Sequence, residues 1–360
     1  MRVIVVAGGT GGHIYPALAI INKLKQLNNN LDVLYIGNTD RMEKDIIPSL
    51  GIPFKGIEMS GMNRKNPLKN ISVYVKYKRA YEEALKIVGE YKPDIVIGVG
   101  GYISLPVIKA AHTLGIKSII HEQNAIPGLS NRILSKYTDK ICVSLPNSVK
   151  YFPKDKVIYT GNPRSEEIID IKTIRKDTLG YDEAKPLVIF VMGSLGSTTM
   201  TTKIKELIPK FKDKTYQVLI ITGKAYYDDY KDIEVSSNVK LMPFYNDLIA
   251  LMKDSNLMVS RAGASTIAEI TAIGIPSILV PSPYVTHNHQ YKNALELESI
   301  GASKIIEEKD FTSNIVLSTI DNILSNKELY NKMHEASLKL GVKDSATKIC
   351  REIEAMVNDR

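Results

Sequence analysis

His13 stands directly after Gly8-Gly9-Thr10-Gly11-Gly12, where the apolar run "VIVVA" gives way to a helical stretch. An imidazole titrates near neutral pH and can take a proton from a nucleophile. Glycines let a ligand approach the backbone closely, and amides at a helix start attract anions. A base beside an anion cradle is one chemistry this junction offers. A plain structural turn is the other, with His13 capping the helix or ordering the loop. The glycine pattern alone does not decide, because it lacks the full G-x-G-x-x-G spacing and has no G-K-[ST] of a phosphate-binding loop.

Further glycine-rich turns follow other apolar runs: Gly98-Val99-Gly100-Gly101-Tyr102, Met192-Gly193-Ser194-Leu195-Gly196-Ser197, and Ser260-Arg261-Ala262-Gly263-Ala264-Ser265-Thr266 leading into "IAEITAIG". Spread over both halves of the chain, they point to two facing sites across a cleft. "HEQN" (His121 to Asn124) opens like a zinc protease motif, but the second histidine that H-E-x-x-H requires is replaced by Ala125. No D-x-D occurs, so a protein-held metal on a nucleotide diphosphate is not expected, and no G-x-S-x-G elbow marks a hydrolase. "THNHQYKN" carries His287, His289, Gln290 and Asn293. Two histidines without a third ligand suit hydrogen bonding to a polyhydroxylated ligand better than metal binding.

These turns need strands before them and helices after them, and the chain supplies both in alternation. Val3–Ala7, Val33–Ile36, Ile95–Val99, Ser118–Ile120 and Lys140–Val143 read as strands separated by amphipathic segments. The rhythm restarts after "YTGNPRSEE" with Leu187–Met192, Gln217–Thr222, Val239–Met242, Leu257–Ser260 and Ser277–Val280. This is the βαβ pattern of parallel sheets covered on both faces, with ligands at the carboxyl ends of the strands. Gly161-Asn162-Pro163 breaks the pattern, which places domains at 1–163 and 164–340. A last helix, about Asp344 to Val357, lies in a segment 341–360 that can pack back on the first domain.

The 360-residue length suits two domains, and 44% hydrophobic with 24% charged residues is an ordinary globular composition. Cys142 and Cys350 lie far apart, which suits a reducing, cytoplasmic compartment, and no apolar run is long enough for a membrane span. The net charge of +8 is uneven: residues 1–160 carry a net +10 and the remainder a net −2. Between Glu58 and Glu82 stand six basic residues and no acidic one, among them Arg64, Lys65, Lys69 and Lys76, interleaved with apolar and tyrosine side chains. A solvated helix face is the plain reading. Contact with anionic lipid fits the mixture as well, whereas no nucleic-acid-binding module accompanies it.

In order and spacing, "GGTGGHIYPALAI", "GVGGYISLPVIKAA", "HEQNAIPGLSNRIL", "TGNPR", "RAGASTIAEI" and "HNHQYKNA" resemble glycosyltransferase family 28 over essentially the whole chain. "HEQN" with "GGTGGH" is similar to the branch that adds N-acetylglucosamine to undecaprenyl-pyrophosphoryl-N-acetylmuramoyl-pentapeptide (lipid I) in peptidoglycan synthesis, rather than to diacylglycerol-glycosylating relatives. The resemblance implies a GT-B fold: two Rossmann-like, doubly wound parallel-sheet α/β domains. One departure is clear. The family loop Gly-Gly-Ser-Gln-Gly reads Met192-Gly193-Ser194-Leu195-Gly196 here, which removes any contact of the missing glycine or glutamine but not one of Ser194.

The resemblance also implies roles. UDP-N-acetylglucosamine would be held by Ser194, the main chain near Tyr245, the helix start Ala264-Ser265-Thr266-Ile267-Ala268, Glu269 at the ribose, and Gln290 with Asn293 nearby at the sugar. Thr10, Gly11, Gly12, Asn124 and Arg164 would complete the donor site from the first domain. The lipid-linked acceptor would meet Gly8, Gly9, Gly100, Gly101, Tyr102, His121 and Glu122. An α-linked donor and a β-1,4 product imply one inverting displacement by the acceptor C4 hydroxyl, with His13 as base and His121 and Glu122 as competitors. No cofactor or metal is implied. The implied location is the cytoplasmic face of the cell membrane, peripheral, with Arg64, Lys65, Lys69 and Lys76 toward anionic lipid. Two other function classes fit these residues. A nicotinamide-dependent oxidoreductase would need an acidic ribose contact, for which Asp40 is only a loose candidate. A non-catalytic nucleotide-sugar-binding protein would bind the donor without turnover.

Overall fold

The computed structural model describes residues 1–61, 70–192 and 198–359. They form two compact units, Met1–Glu166 with Asp344–Arg360, and Glu167–Lys343. The chain crosses from the first unit to the second after Glu166 and returns at Asp344.

In the first unit the strands are β1 Arg2–Val6, β2 Asp32–Asn38, β3 Phe54–Ile57, β4 Ile95–Gly98, β5 Ser118–Glu122, β6 Lys140–Val143 and β7 Val157–Tyr159. They pair in the order β3-β2-β1-β4-β5-β6-β7, all parallel. The helices are α1 Gly11–Leu27, α2 Glu43–Ser49, α3 Asn70–Tyr91, α4 Ser104–Thr113, α5 Leu129–Leu134 and α6 Arg164–Asp170, which runs across the first crossing. The continuous apolar run of β1 has a direct cause. Val3 and Val5 face one core with Ile14, Ala17 and Ile21 of α1, while Ile4 and Val6 face another with Ala84 and Val88 of α3 and Val107 and Ile108 of α4.

The second unit repeats the plan with β8 Leu187–Val191, β9 Gln217–Ile221, β10 Val239–Met242, β11 Leu257–Ser260, β12 Ser277–Leu279 and β13 Ser303–Ile305, parallel in the order β10-β9-β8-β11-β12-β13. Its helices are α7 Thr198–Leu207, α8 Leu248–Met252, α9 Ala264–Ile273, α10 His289–Ser299, α11 Ser313–Ser325 and α12 Lys327–Leu340. The last helix, α13 Ser345–Asn358, belongs to the first unit. Its Ile349, Cys350, Ile353 and Met356 recur at helical spacing and enter the α1 core. Glu166 accepts hydrogen bonds from the Thr347 amide at 2.7 Å and hydroxyl at 2.6 Å, and pairs with Lys23 of α1 at 2.8 Å.

The strand order reverses beside β1 in the first sheet and beside β8 in the second. At such a point the loops leaving neighbouring strands diverge to opposite faces and open a crevice. The turns after β1 and β4 sit at the first reversal and the turn after β11 at the second; residues 193–197, which follow β8, lie outside the described residues. Three of the four glycine-rich turns thus lie at the switch points. Among the described residues no helix is long and apolar enough to cross a membrane.

Candidate functional site

At the first switch point two glycine turns interlock. Gly9, Gly100 and Gly101 have φ of +92°, +109° and +89°, the region that favours glycine. The Gly8 amide donates to the Gly100 carbonyl at 3.3 Å. A Cβ on Gly101 would stand 2.6 Å from the Gly8 carbonyl oxygen, and one on Gly100 2.5 Å from the His13 ring. His13 is half-buried, with Nδ1 3.0 Å from the Gly8 carbonyl. A carbonyl only accepts, so Nδ1 carries the proton and the lone pair lies on Nε2. Ordering the loop and acting as a base therefore use different nitrogens of one ring. Helix capping is not its role: Thr10 holds the cap position, and no side chain caps it.

The buried carboxylate of Glu43 meets the Gly9 amide at 3.1 Å, the Asn38 amide at 2.9 Å and Asn38 Nδ2 at 2.8 Å. Gly8 and Gly9 are expected to let an acceptor diphosphate approach the backbone, and here the Gly8 amide meets the Gly100 carbonyl while the Gly9 amide meets Glu43. Both amides are engaged within the protein, and these glycines shape the turn. Gly11 and Gly12, half-buried in the first turn of α1, are the ones at the helix start.

"HEQN" ends β5 and begins the loop to α5. Glu122 is 2% exposed, and its oxygens accept four N–H groups: Asn124 N at 2.9 Å, Asn124 Nδ2 at 3.3 Å, Gly128 N at 3.0 Å and Asn131 Nδ2 at 2.9 Å. His121 is equally buried; its Nδ1 accepts from Gln123 Nε2 at 3.1 Å, and its Nε2 faces the Gly161 carbonyl and Ser144 Oγ, each at 3.2 Å. Burial pushes its pKa down to about 4, against the Gly161 contact, so the ring is neutral at pH 7. Both side chains are buried and engaged by protein groups. They brace the loop that presents Asn124, which is half-buried. Tyr102 is half-buried, and Arg164 lies over the Tyr15 ring at 5.7 Å.

At the second switch point Gly263 holds the N-cap position of α9, with no side-chain cap on the first amides of the helix. Ser265 Oγ in the first turn is buried without a hydrogen-bond partner. Thr266, Arg261, Tyr245, Phe244, Val191 and Ile221 help line a cavity of about 220 Å³ at the carboxyl ends of β8 to β11. Ala264 and Glu269 are half-buried, and Ile267 and Ala268 are buried on the inner face of α9. Arg261 is held by Glu308 at 2.5 Å and the Val280 carbonyl at 3.1 Å. Burial would raise the Glu308 pKa, but hydrogen bonds from Thr199 and Arg261 hold the carboxyl below its usual range. Gln290 Oε1 accepts from the Ser282 amide at 2.8 Å, and the fully buried Asn293 donates to the Ala262 carbonyl at 3.3 Å. Asn293 therefore orders the turn before α9. His287 and Asn288 have φ of +56° and +51°, uncommon for residues with side chains, and His289 contacts the Thr286 carbonyl at 2.9 Å. Among the described residues no group of three or more His, Cys, Asp or Glu could hold a metal.

Ser194 and the basic residues Arg64, Lys65 and Lys69 lie outside the described residues. Lys76 pairs with Glu58 at 2.6 Å, with the two side chains 39% and 67% exposed. Around it on α3, Ile71, Tyr74 and Val75 are exposed by 68%, 59% and 44%. The residues not anticipated from sequence are Glu43, Glu308, Asn131 and Phe244. Only Phe244, an aromatic just after a strand, carries any local signal.

Residues 3–143 match the glycosyltransferase family 28 N-terminal domain, and residues 187–349 match its C-terminal domain. A Bacillus cereus protein named UDP-N-acetylglucosamine–N-acetylmuramyl-(pentapeptide) pyrophosphoryl-undecaprenol N-acetylglucosamine transferase 1 is 41% identical over 362 residues, covering 99% of this chain and 100% of its own. A Bacillus cytotoxicus protein named as the same transferase is 42% identical over 354 residues, 97% of each chain. The crystal structure of Acinetobacter baumannii MurG superposes with a TM-score of 0.80 at 27% identity, over 98% of this chain and 99% of that one. A UDP-GlcNAc 2-epimerase from Neisseria meningitidis, with a TM-score of 0.68 at 17% identity over 99% of this chain and 100% of its own, shares the fold alone. With both domains matched and full-length relatives at this identity, the chain is a member of glycosyltransferase family 28.

Proposed function

We propose that this chain transfers N-acetylglucosamine from UDP-N-acetylglucosamine to the C4 hydroxyl of the muramoyl sugar in undecaprenyl-pyrophosphoryl-N-acetylmuramoyl-pentapeptide, with inversion, in peptidoglycan synthesis. The observation that carries this reading is full-length identity of 41% to a transferase of that name. The two glycine-lined switch points support it, since the reaction joins two diphosphate-bearing substrates.

The uracil lies in the cavity beside the Tyr245 main chain, with ribose hydroxyls on Glu269. The diphosphate meets the first amides of α9, the hydroxyls of Ser265 and Thr266, and Ser194. Gln290 donates through its amide nitrogen to sugar hydroxyls. Thr10, Gly11, Gly12, Asn124 and Arg164 complete the donor contacts, and Gly100, Gly101 and Tyr102 face the acceptor. His13 Nε2 takes the proton of the C4 hydroxyl as it attacks the anomeric carbon and the bond to UDP breaks. Charge developing on UDP is stabilised by oriented amides and the α9 dipole. Because the acceptor's tail stays in the bilayer, the protein docks at the cytoplasmic membrane face, where Ile71, Tyr74 and Val75 insert beside basic side chains.

The test is UDP release from UDP-N-acetylglucosamine in the presence of a lipid I analogue, with the anomeric configuration of the product read by NMR. Acceptor-dependent release of UDP with a β-linked product is expected. Release that ignores the acceptor, or none at all, refutes the reading.

A further inference from the structure

Glu43 opens α2, five residues after Asn38 ends β2, and its carboxylate is fully buried. Its described partners are N–H groups, not a cation. Space for it is made by glycines: a Cβ on Gly8 would overlap Oε1, and one on Gly37 would stand 2.5 Å from Cγ. A buried carboxylate costs several kcal/mol of lost hydration unless its site is built around it. This site is built, and it grips the Gly9 amide at 3.1 Å.

That amide and the Gly8 carbonyl belong to one peptide unit. No cis peptide occurs here, and in a trans unit the N–H and C=O point in opposite directions. With the Gly9 N–H directed at Glu43, the Gly8 oxygen is aimed the other way, where His13 Nδ1 lies at 3.0 Å. Carboxylate, peptide and imidazole thus form a continuous hydrogen-bonded relay, and such chains polarise one another. Glycine on both sides of the peptide would otherwise leave its orientation loosely determined.

We propose that Glu43 is a positioning residue, which through the Gly8–Gly9 peptide fixes the tautomer and orientation of His13. The proposal rests on the reading of His13 as the base. It gives the first glycine turn a role apart from ligand binding: it transmits the orienting effect of a carboxylate that stays out of the site.

Glu43→Gln tests it. The glutamine oxygen can satisfy the two Asn38 donors and keep the longer, 3.3 Å contact of the Gly9 N–H, but its NH2 replaces the nearer acceptor at 3.1 Å and opposes that N–H, so the peptide turns away. NMR of isotope-labelled histidine reads the tautomer directly, with the His13 signals assigned by their loss in His13→Gln. Wild type is expected to hold the proton on Nδ1, and Glu43→Gln to show a mixture. In the UDP-release assay kcat is expected to fall by about 10- to 100-fold, the range for removing an outer partner of a functional imidazole, with the KM for UDP-N-acetylglucosamine unchanged. Should Glu43→Gln not fold, Glu43→Asp keeps the charge beside Asn38 while shortening its reach to Gly9, and the same tautomer change is expected. A His13 spectrum and kcat unchanged in whichever variant folds, or a wild-type proton on Nε2, overturns the relay. Absence of wild-type UDP release would instead refute the transferase reading, leaving the tautomer to judge Glu43.

Discussion

Glu122→Gln exchanges one carboxylate oxygen for NH2 in a buried site that offers only donors. Asn124 presents its amide and side chain to one oxygen, and Gly128 N and Asn131 Nδ2 approach the other. The asparagine side chains can turn; the main-chain N–H groups of Asn124 and Gly128 cannot. Whichever way the glutamine lies, its NH2 opposes one of them. Orphaning a donor costs about 1–3 kcal/mol, and the surviving bonds weaken because their acceptor is now neutral. The sum is about 2–4 kcal/mol. At roughly 2–4 °C per kcal/mol for a unit of about 180 residues, melting should fall by roughly 5–15 °C. Thermal unfolding followed by far-UV circular dichroism measures the shift, and UDP release is assayed in parallel at a temperature where the variant is folded. Melting within 1–2 °C of wild type together with abolished turnover would mean that the carboxylate acts on substrate and does not brace the loop.

His13→Ala should lower turnover by roughly 10²–10⁴ with the KM for the UDP-sugar nearly unchanged, as steady-state kinetics will show. His121 is neutral in the native state down to about pH 4, whereas in the unfolded chain it takes a proton near pH 6.5. The unfolded state therefore binds more protons in that window, and stability should decline as pH falls from 6.5 toward 4, by up to about 3 kcal/mol. Urea midpoints across the range measure this, and His121→Asn should flatten the slope. Replacing Ile71 and Tyr74 by serine should weaken co-sedimentation with anionic vesicles at least about tenfold, since each buried apolar side chain contributes on the order of 1.5–3 kcal/mol. Lys76→Gln removes one positive charge and leaves Glu58 uncompensated, so it should weaken binding by up to about 1 kcal/mol, about fivefold, at low salt; equal binding by all variants would return α3 to a solvated face.

Central strands were legible in the sequence because both of their faces are covered, as the division of Val3 and Val5 from Ile4 and Val6 between two cores shows. Of the edge strands β10 was legible, whereas β3, β7 and β13 were not. They are three or four residues long, and "FKGI" carries a lysine and a glycine where a buried strand would be uniformly apolar. The glycine turns were legible because positive φ leaves few alternatives to glycine. Glu43 was silent: within "RMEKD" a buried carboxylate is written the same way as a solvated helix start. His121 and Glu122 stood out by type, but residue type does not reveal that their partners are loop amides. A last helix is expected at about Asp344 to Val357, able to pack back on the first domain; that Ile349, Ile353 and Met356 cover the surface beside α1 is read only from the structure.

That surface has a consequence for the order in which the protein is made. The first 166 residues leave the ribosome with the core beside α1 still lacking Ile349, Cys350, Ile353 and Met356. Synthesis of Glu167 to Lys343 intervenes, which at typical elongation rates takes roughly 10–35 seconds. The second unit has its whole sequence by the end of that interval, while the first waits throughout it without the helix that completes its core. The half of the molecule translated first is thus the half completed last, and a chain stalled shortly before Ser345 would carry a finished second unit and an unsealed first one.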